Sequence, residues 1–245
     1  WAQRGHEIGN HSFSHHQNFS NLNLNQMFDE IKKSHDIISE CIGKEPKGFI
    51  SPAWSYSPLQ LEILARLNYT YDTSLFPSFL MPLIQLTLRV TSGLKKEMIP
   101  IFRRDLWGSL FGSQHPFYAS KTNPWRKCKN NGNILMLPLP MTFFRIPLWH
   151  SMSFLCADSW YEKMLHRAID TSRGFYYVMH PINFSCPEKD LGDFKPVKQK
   201  ILSAHLPLEI KLSHLRRALA IISQKCHLVT MSELADIQKK DFAHA

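Results

Sequence analysis

The chain has no Cys-x-x-Cys pair. Its five cysteines (41, 128, 156, 186 and 226) are scattered and odd in number. That excludes a zinc ribbon and a dithiol redox motif, and it suggests no disulfide framework. Reduced thiols in the core are the expected state. A clean apolar run is also lacking. The longest candidates, over 79–90 and 134–146, are broken by prolines and by Arg89 and Arg145. Neither reaches the ~20 apolar residues of a membrane helix, so no membrane span is expected. No targeting segment and no Met open the chain, so it reads as a fragment. Internal repeats and low-complexity segments are absent too.

What remains is an ordinary globular composition. The 245 residues are 44% hydrophobic, enough for one large domain or two small ones. The formal net charge is +9. Such a balance suits polyanions, anionic membranes or acidic glycans. The charge is dispersed, however, and its densest groups (Lys95-Lys96, Arg103-Arg104 and Arg126-Lys127-Cys128-Lys129) read as solvated loop charge. No nucleic-acid motif accompanies them, so no nucleic-acid partner is expected.

Periodicity alternates between two kinds of segment. Helical spacing predicts helices over 25–42, ended by Gly43, from Ser57-Pro58 onward, over 159–173 and over 208–224. Thr230-Met-Ser-Glu233 is a capping-box signature for a last helix. Short strands are expected over 6–10, 47–51, 69–72, 134–139, 175–179 and 227–229. Between about 76 and 133 the pattern dissolves into prolines, aromatics and basic pairs. That stretch reads as a long insertion of lid or loop character within a single domain covering 1–245. Strands alternating with helices argue for a parallel α/β architecture.

Two histidines at i, i+4 stand near the start, in Gly-His-Glu-Ile-Gly-Asn-His-Ser-Phe-Ser-His-His (5–16). Imidazole is the commonest metal ligand, and such a pair can reach one ion from a single helical turn. Thirteen histidines in 245 residues supply about one such pair by chance, so spacing alone favours two surface or capping histidines. The order of landmarks adds more. After His11-Ser-Phe-Ser-His15 come Gly48-Phe-Ile-Ser-Pro52-Ala-Trp54, then Tyr71-Asp72-Thr-Ser-Leu-Phe-Pro77, then Tyr177-Val-Met-His180-Pro181. This succession resembles the polysaccharide deacetylase family of NodB homology, a group of carbohydrate esterases. The phrases around Asp72 and His180 look most like its exopolysaccharide-associated branch.

The resemblance implies a distorted (β/α) barrel with its site at the C-terminal ends of the strands. It also implies hydrolysis of N-acetyl groups from amino sugars in a polysaccharide. His11 and His15 would be two ligands of a divalent metal, most often zinc. His180 would be the general acid for the departing amine. The backbone N–H of Ala53 would help to hold the oxyanion. Trp54 and Tyr56 are candidate flat faces for a sugar, with core or rim packing as the alternative. Asp72 either orients a site group or shapes a turn, and His180 read without the resemblance is better taken as a buried core histidine. Family members work in the cytoplasm and at cell surfaces, so compartment stays open.

Two departures stand out. The family opens with a strand ending in paired aspartates, which supply the base and the third ligand; no such pair precedes His11. The barrel is therefore expected to lack its first strand. The Arg of the third motif is Ile50, which cannot pair with a carboxylate. These departures leave a second expectation: a non-catalytic homologue that binds glycan on the same fold.

Overall fold

The computed structural model describes residues 1–16, 18–79, 112–119, 134–172, 174–190, 203 and 206–243. It divides into two compact units. The first comprises Trp1–Leu139 with Val229–Ala245, and the second Pro140–Leu228.

In the first unit, helix α1 (Leu24–Ile42) opens with a capping box. The Asn23 side chain accepts the Gln26 N–H, and Gln26 reciprocates. The helix stops at Gly43, whose φ of 69° is the left-handed conformation that glycine adopts at no steric cost. Its inner face buries Met27 and Ile31. Helix α2 (Pro58–Arg66) starts in the same way, with a Ser57–Gln60 box and Pro58 in its first turn.

The sheet is made of short strands in the order β1 (Gly48–Phe49), β2 (Tyr71–Asp72), β4 (Leu135–Met136) and β3 (Phe117–Tyr118). β1–β2 and β2–β4 are parallel, whereas β3 runs antiparallel to β4. Asn10 extends the sheet by a single parallel bridge to Phe49, so the strand expected over 6–10 contracts to one residue. Gly48 is dictated by packing: a Cβ there would lie 2.0 Å from the Tyr71 ring. Phe19, Phe49, Ile63, Leu64, Tyr69 and Phe117 form the core of this unit with the α1 residues. Helix α5 (Met231–Ala243) belongs to it as well. Its Thr230–Glu233 box forms as expected.

In the second unit, α3 (Asp158–Thr171) packs on α4 (Leu208–Lys225) through Leu165, Ala168, Ala218 and Ile222. Neither 175–179 nor 227–229 is a strand. The Val178 carbonyl accepts the His150 N–H, but no ladder forms there among the described residues.

The insertion expected over 76–133, and the basic groups within it, lie largely outside the described residues. Its described part holds β3, which the sequence reading missed. The cysteines 41, 156, 186 and 226 are free thiols, but Cys41 is exposed and not part of a core. No helix among the described residues is long and apolar enough to cross a membrane.

Candidate functional site

The histidine pair sits on a bend and not on a helical turn. Ser12 and His15 have φ of 64° and 55°, a region that non-glycine residues seldom visit. Four contacts hold this shape. Asn10 Oδ1 accepts the Ser12 N–H at 2.9 Å. Glu30, on α1, accepts the Ser14 N–H at 2.9 Å. The Lys33 ammonium lies 3.8 Å from the centre of the Phe13 ring. The fourth is the 2.7 Å bond between His11 Nδ1 and the Ile50 carbonyl. A carbonyl only accepts, so Nδ1 carries the proton and Nε2 keeps the basic lone pair. The bend brings the His11 and His15 rings edge to face, with centroids 4.8 Å apart.

That tautomer is the one metal-binding histidines commonly take, with the remote nitrogen donating to a carbonyl. The pair thus fits a metal as two of its ligands. It does not make a full set: no group of three or more His, Cys, Asp or Glu able to hold a metal exists among the described residues.

Ile50 makes its contribution through the backbone, since its N–H donates to the Asn10 carbonyl at 3.1 Å. Beyond it the chain turns sharply. Ala53 and Trp54 both have left-handed φ, 51° and 49°, and two successive non-glycine residues of this kind persist only where the surroundings enforce them. A buried polar cluster does so here. The Ser51 N–H donates to Ser74 Oγ at 2.8 Å. Gln60 Nε2 donates to both Ser74 Oγ and Asp72 Oδ2. Asp72 Oδ1 accepts the Ser74 N–H at 2.6 Å.

Asp72 is fully buried at the end of β2. Burial pushes its carboxyl up to about 6, against the lowering effect of the bonds from Ser74 and Gln60. It therefore braces the turn by a network. Tyr56 lies in the core, 1% exposed. Its hydroxyl is held well above the usual range by burial and by the Asp72 charge. Of the two readings of Tyr56, the packed one describes this conformation. Trp54 is half-buried and packs edge to face on Phe76 at 5.4 Å.

His180 belongs to the second unit and is exposed, so it is not a buried core histidine. Its backbone is fixed, because the His180 N–H donates to Asn183 Oδ1 at 3.0 Å and Asn183 Nδ2 donates to Ser151 Oγ. The preceding residues are tied to the buried His150. The Tyr161 hydroxyl donates to the Trp149 carbonyl. The Tyr177 hydroxyl then serves Tyr161 at 2.8 Å, which leaves His150 Nδ1–H as the donor to Tyr177 at 3.0 Å. Burial, with the nearby His214, holds the His150 imidazole down to about 4, in its neutral form.

Asn10, Glu30, Gln60 and Ser74 were not among the candidate site residues read from the sequence. Each has at least one partner 12 to 59 residues away, which no local spacing marks.

Residues 1–71 match the family model for polysaccharide deacetylase. A peptidoglycan deacetylase of Helicobacter pylori is 37% identical over 71 residues, covering 29% of this chain and 24% of that protein. An uncharacterized Bacillus subtilis protein, YlxY, is 36% identical over 77 residues, again 29% of this chain and 24% of the other. The chain thus spans about a quarter of the length of these curated relatives. A crystal structure of a Mycobacterium smegmatis protein, provisionally assigned as a polysaccharide deacetylase, covers 98% of this chain with a TM-score of 0.55. It is 14% identical, the chain covers 65% of it, and it speaks for the fold alone. The matched residues 1–71 include His11, His15, Ile50 and Ala53, and over this stretch the chain is similar to the polysaccharide deacetylase family.

Proposed function

We propose that this chain contributes the metal-binding part of a hydrolase that removes N-acetyl groups from amino sugars in a polysaccharide. The observation that carries the reading is the His11 Nδ1–H bond to the Ile50 carbonyl, which presets the tautomer of a ligand whose neighbour His15 lies 4.8 Å away ring to ring. His11 and His15 hold the ion. A bound divalent metal, zinc by preference, would lower the pKa of its water towards ~7 and polarise the acetamide oxygen.

The other roles fall to the chain itself. The Ala53 N–H, on the strained turn, takes the developing oxyanion. His180 hands a proton to the departing amine nitrogen. Trp54 gives the sugar an apolar face. Asp72 holds the turn through Ser74 and Gln60. The reading takes 1–245 as one catalytic domain of the distorted (β/α) barrel type, with 76–133 inserted. The parallel strand pairs of the first unit support it. The partner is an N-acetylated glycan.

The test is release of acetate from an N-acetylglucosamine oligomer by the zinc-loaded protein supplied with the paired-aspartate strand that the resemblance implies. Release is expected to need zinc and to vanish in His11→Ala. Oligomer binding that survives chelation and His11→Ala, with no acetate formed, would instead identify a glycan-binding homologue. Ile50 in place of the motif Arg is the observation that favours this second reading.

A further inference from the structure

We infer that Asn10 is a positioning residue that sets the geometry, and with it the metal affinity, of the His11–His15 pair. Asn10 is wholly buried and spends every polar group it has. Its backbone N–H donates to the Gly48 carbonyl and its own carbonyl accepts the Ile50 N–H, which fixes the segment before His11 to β1. Its amide Nδ2 donates to the Ile31 carbonyl at 3.0 Å and to the Tyr69 hydroxyl at 2.7 Å. These anchor the side chain to α1 and to the core. The remaining oxygen, Oδ1, takes the N–H of Ser12.

That last bond is the informative one. Ser12 stands at φ 64°, an unfavourable conformation for a residue with a Cβ. Its N–H, accepted from the core side, holds the chain in the bend that returns His15 to His11. The same Ile50 whose N–H rests on Asn10 presents its carbonyl to His11 Nδ1. One residue therefore serves both: its side chain fixes the direction of the bend, and its backbone fixes the register of the carbonyl that sets the tautomer. Ligand supports of this kind commonly change metal affinity by about 10–100-fold when removed.

The first arm of the test needs no metal. In the metal-free chain, proton NMR is expected to show cross-relaxation between the His11 and His15 rings, and Asn10→Ala is expected to lose it. Tyr69→Phe removes the hydroxyl that Asn10 Nδ2 meets but spares the bond to Ser12, so it is expected to cost stability while keeping the ring contact. Asn10→Asp preserves the acceptor for Ser12 and is expected to keep the contact too, which covers the case in which Asn10→Ala does not fold.

The second arm rests on the metal reading. Zinc affinity by titration calorimetry is expected to fall about 10–100-fold in Asn10→Ala and to hold in Tyr69→Phe. A folded Asn10→Ala that keeps the ring contact, a Tyr69→Phe that loses it equally, or an Asn10→Asp that loses it would overturn the role of Asn10. An unaltered chain that shows the ring contact and binds no zinc would overturn the metal reading and leave the positioning role standing.

Discussion

Asp72 shows at residue scale how a group can be visible in a sequence while its job is not. The phrase Tyr71-Asp72-Thr-Ser marked it, with a turn or an orienting role both open. Its work depends on Gln60 and Ser74 and, through Ser74, on Ser51. Folding alone brings these together. The histidine pair was legible because His11 and His15 are close along the chain; Asn10 was not, since its anchors are 21 and 59 residues away.

The raised Asp72 carboxyl makes a prediction with a definite sign. Its folded value, about 6, lies above the ordinary carboxylate value. The folded state therefore binds more protons than the unfolded state between pH ~4 and ~6, and stability from this group falls as pH rises through that window. It is fully present below the unfolded value and lost above about 6. Asp72→Asn abolishes the titration. Urea denaturation at pH 4.5 and pH 7 is expected to show the unaltered protein losing ground to Asp72→Asn at the higher pH, by at most about 3 kcal/mol. Equal differences at both pH values would show that folding does not raise the Asp72 carboxyl.

At the scale of elements, helices were legible and strands much less so. α1, α2 and α5 each carry a capping box in the sequence. A helix also has enough turns for its apolar spacing to stand out. The strands are two residues long, too short for any alternation to be read. Apolar runs over 47–51, 69–72 and 134–139 did hold strands, each narrower than expected. The run over 175–179 did not. It is held by one backbone bond, from the His150 N–H to the Val178 carbonyl, and by the Tyr177–His150 side-chain contact, where a ladder was expected. β3 was missed because Phe117-Tyr118 follows Pro116 in a stretch that reads as irregular, and because it pairs antiparallel to β4.

Gly48 carries the element-scale prediction. Parallel pairing sets Gly48 opposite Tyr71, and the ring occupies the space of a Cβ. Gly48→Ala must displace the Tyr71 ring, whose hydroxyl donates to Glu7. Overpacking of this kind costs about 1–3 kcal/mol, expected as a lowered denaturation midpoint. The double variant Gly48→Ala/Tyr71→Leu should recover part of that loss, and failure to do so would place the strain elsewhere.

At the scale of the whole molecule, the family match is confined to residues 1–71, yet the unit that contains them closes on the far end of the chain. Glu7 makes this closure. One of its oxygens accepts the Tyr71 hydroxyl at 2.8 Å and the Ser232 hydroxyl at 2.6 Å, and the other accepts the Ser232 N–H at 2.7 Å. A carboxylate on the first turn of α5 satisfies an otherwise orphan helical N–H and complements the positive end of the helix dipole. Only folding could reveal it, because 225 residues separate the partners. The sequence supplied the Thr230–Glu233 box but gave no sign that a second acid, from the opposite terminus, docks beside it.

Hydrogen bonds to a charged group contribute about 1.5–3 kcal/mol each, and part of that returns to water when the group is removed. Glu7→Ala is therefore expected to cost about 2–3 kcal/mol and to raise the exchange rate of the Ser232 amide, while amides in the second unit stay unaffected. Glu7→Gln keeps an acceptor and should lose less. If Glu7→Ala leaves the Ser232 amide as protected as before, α5 is anchored by its apolar contacts alone, and the tie between the histidine-bearing segment and the chain's last helix carries no weight in the fold.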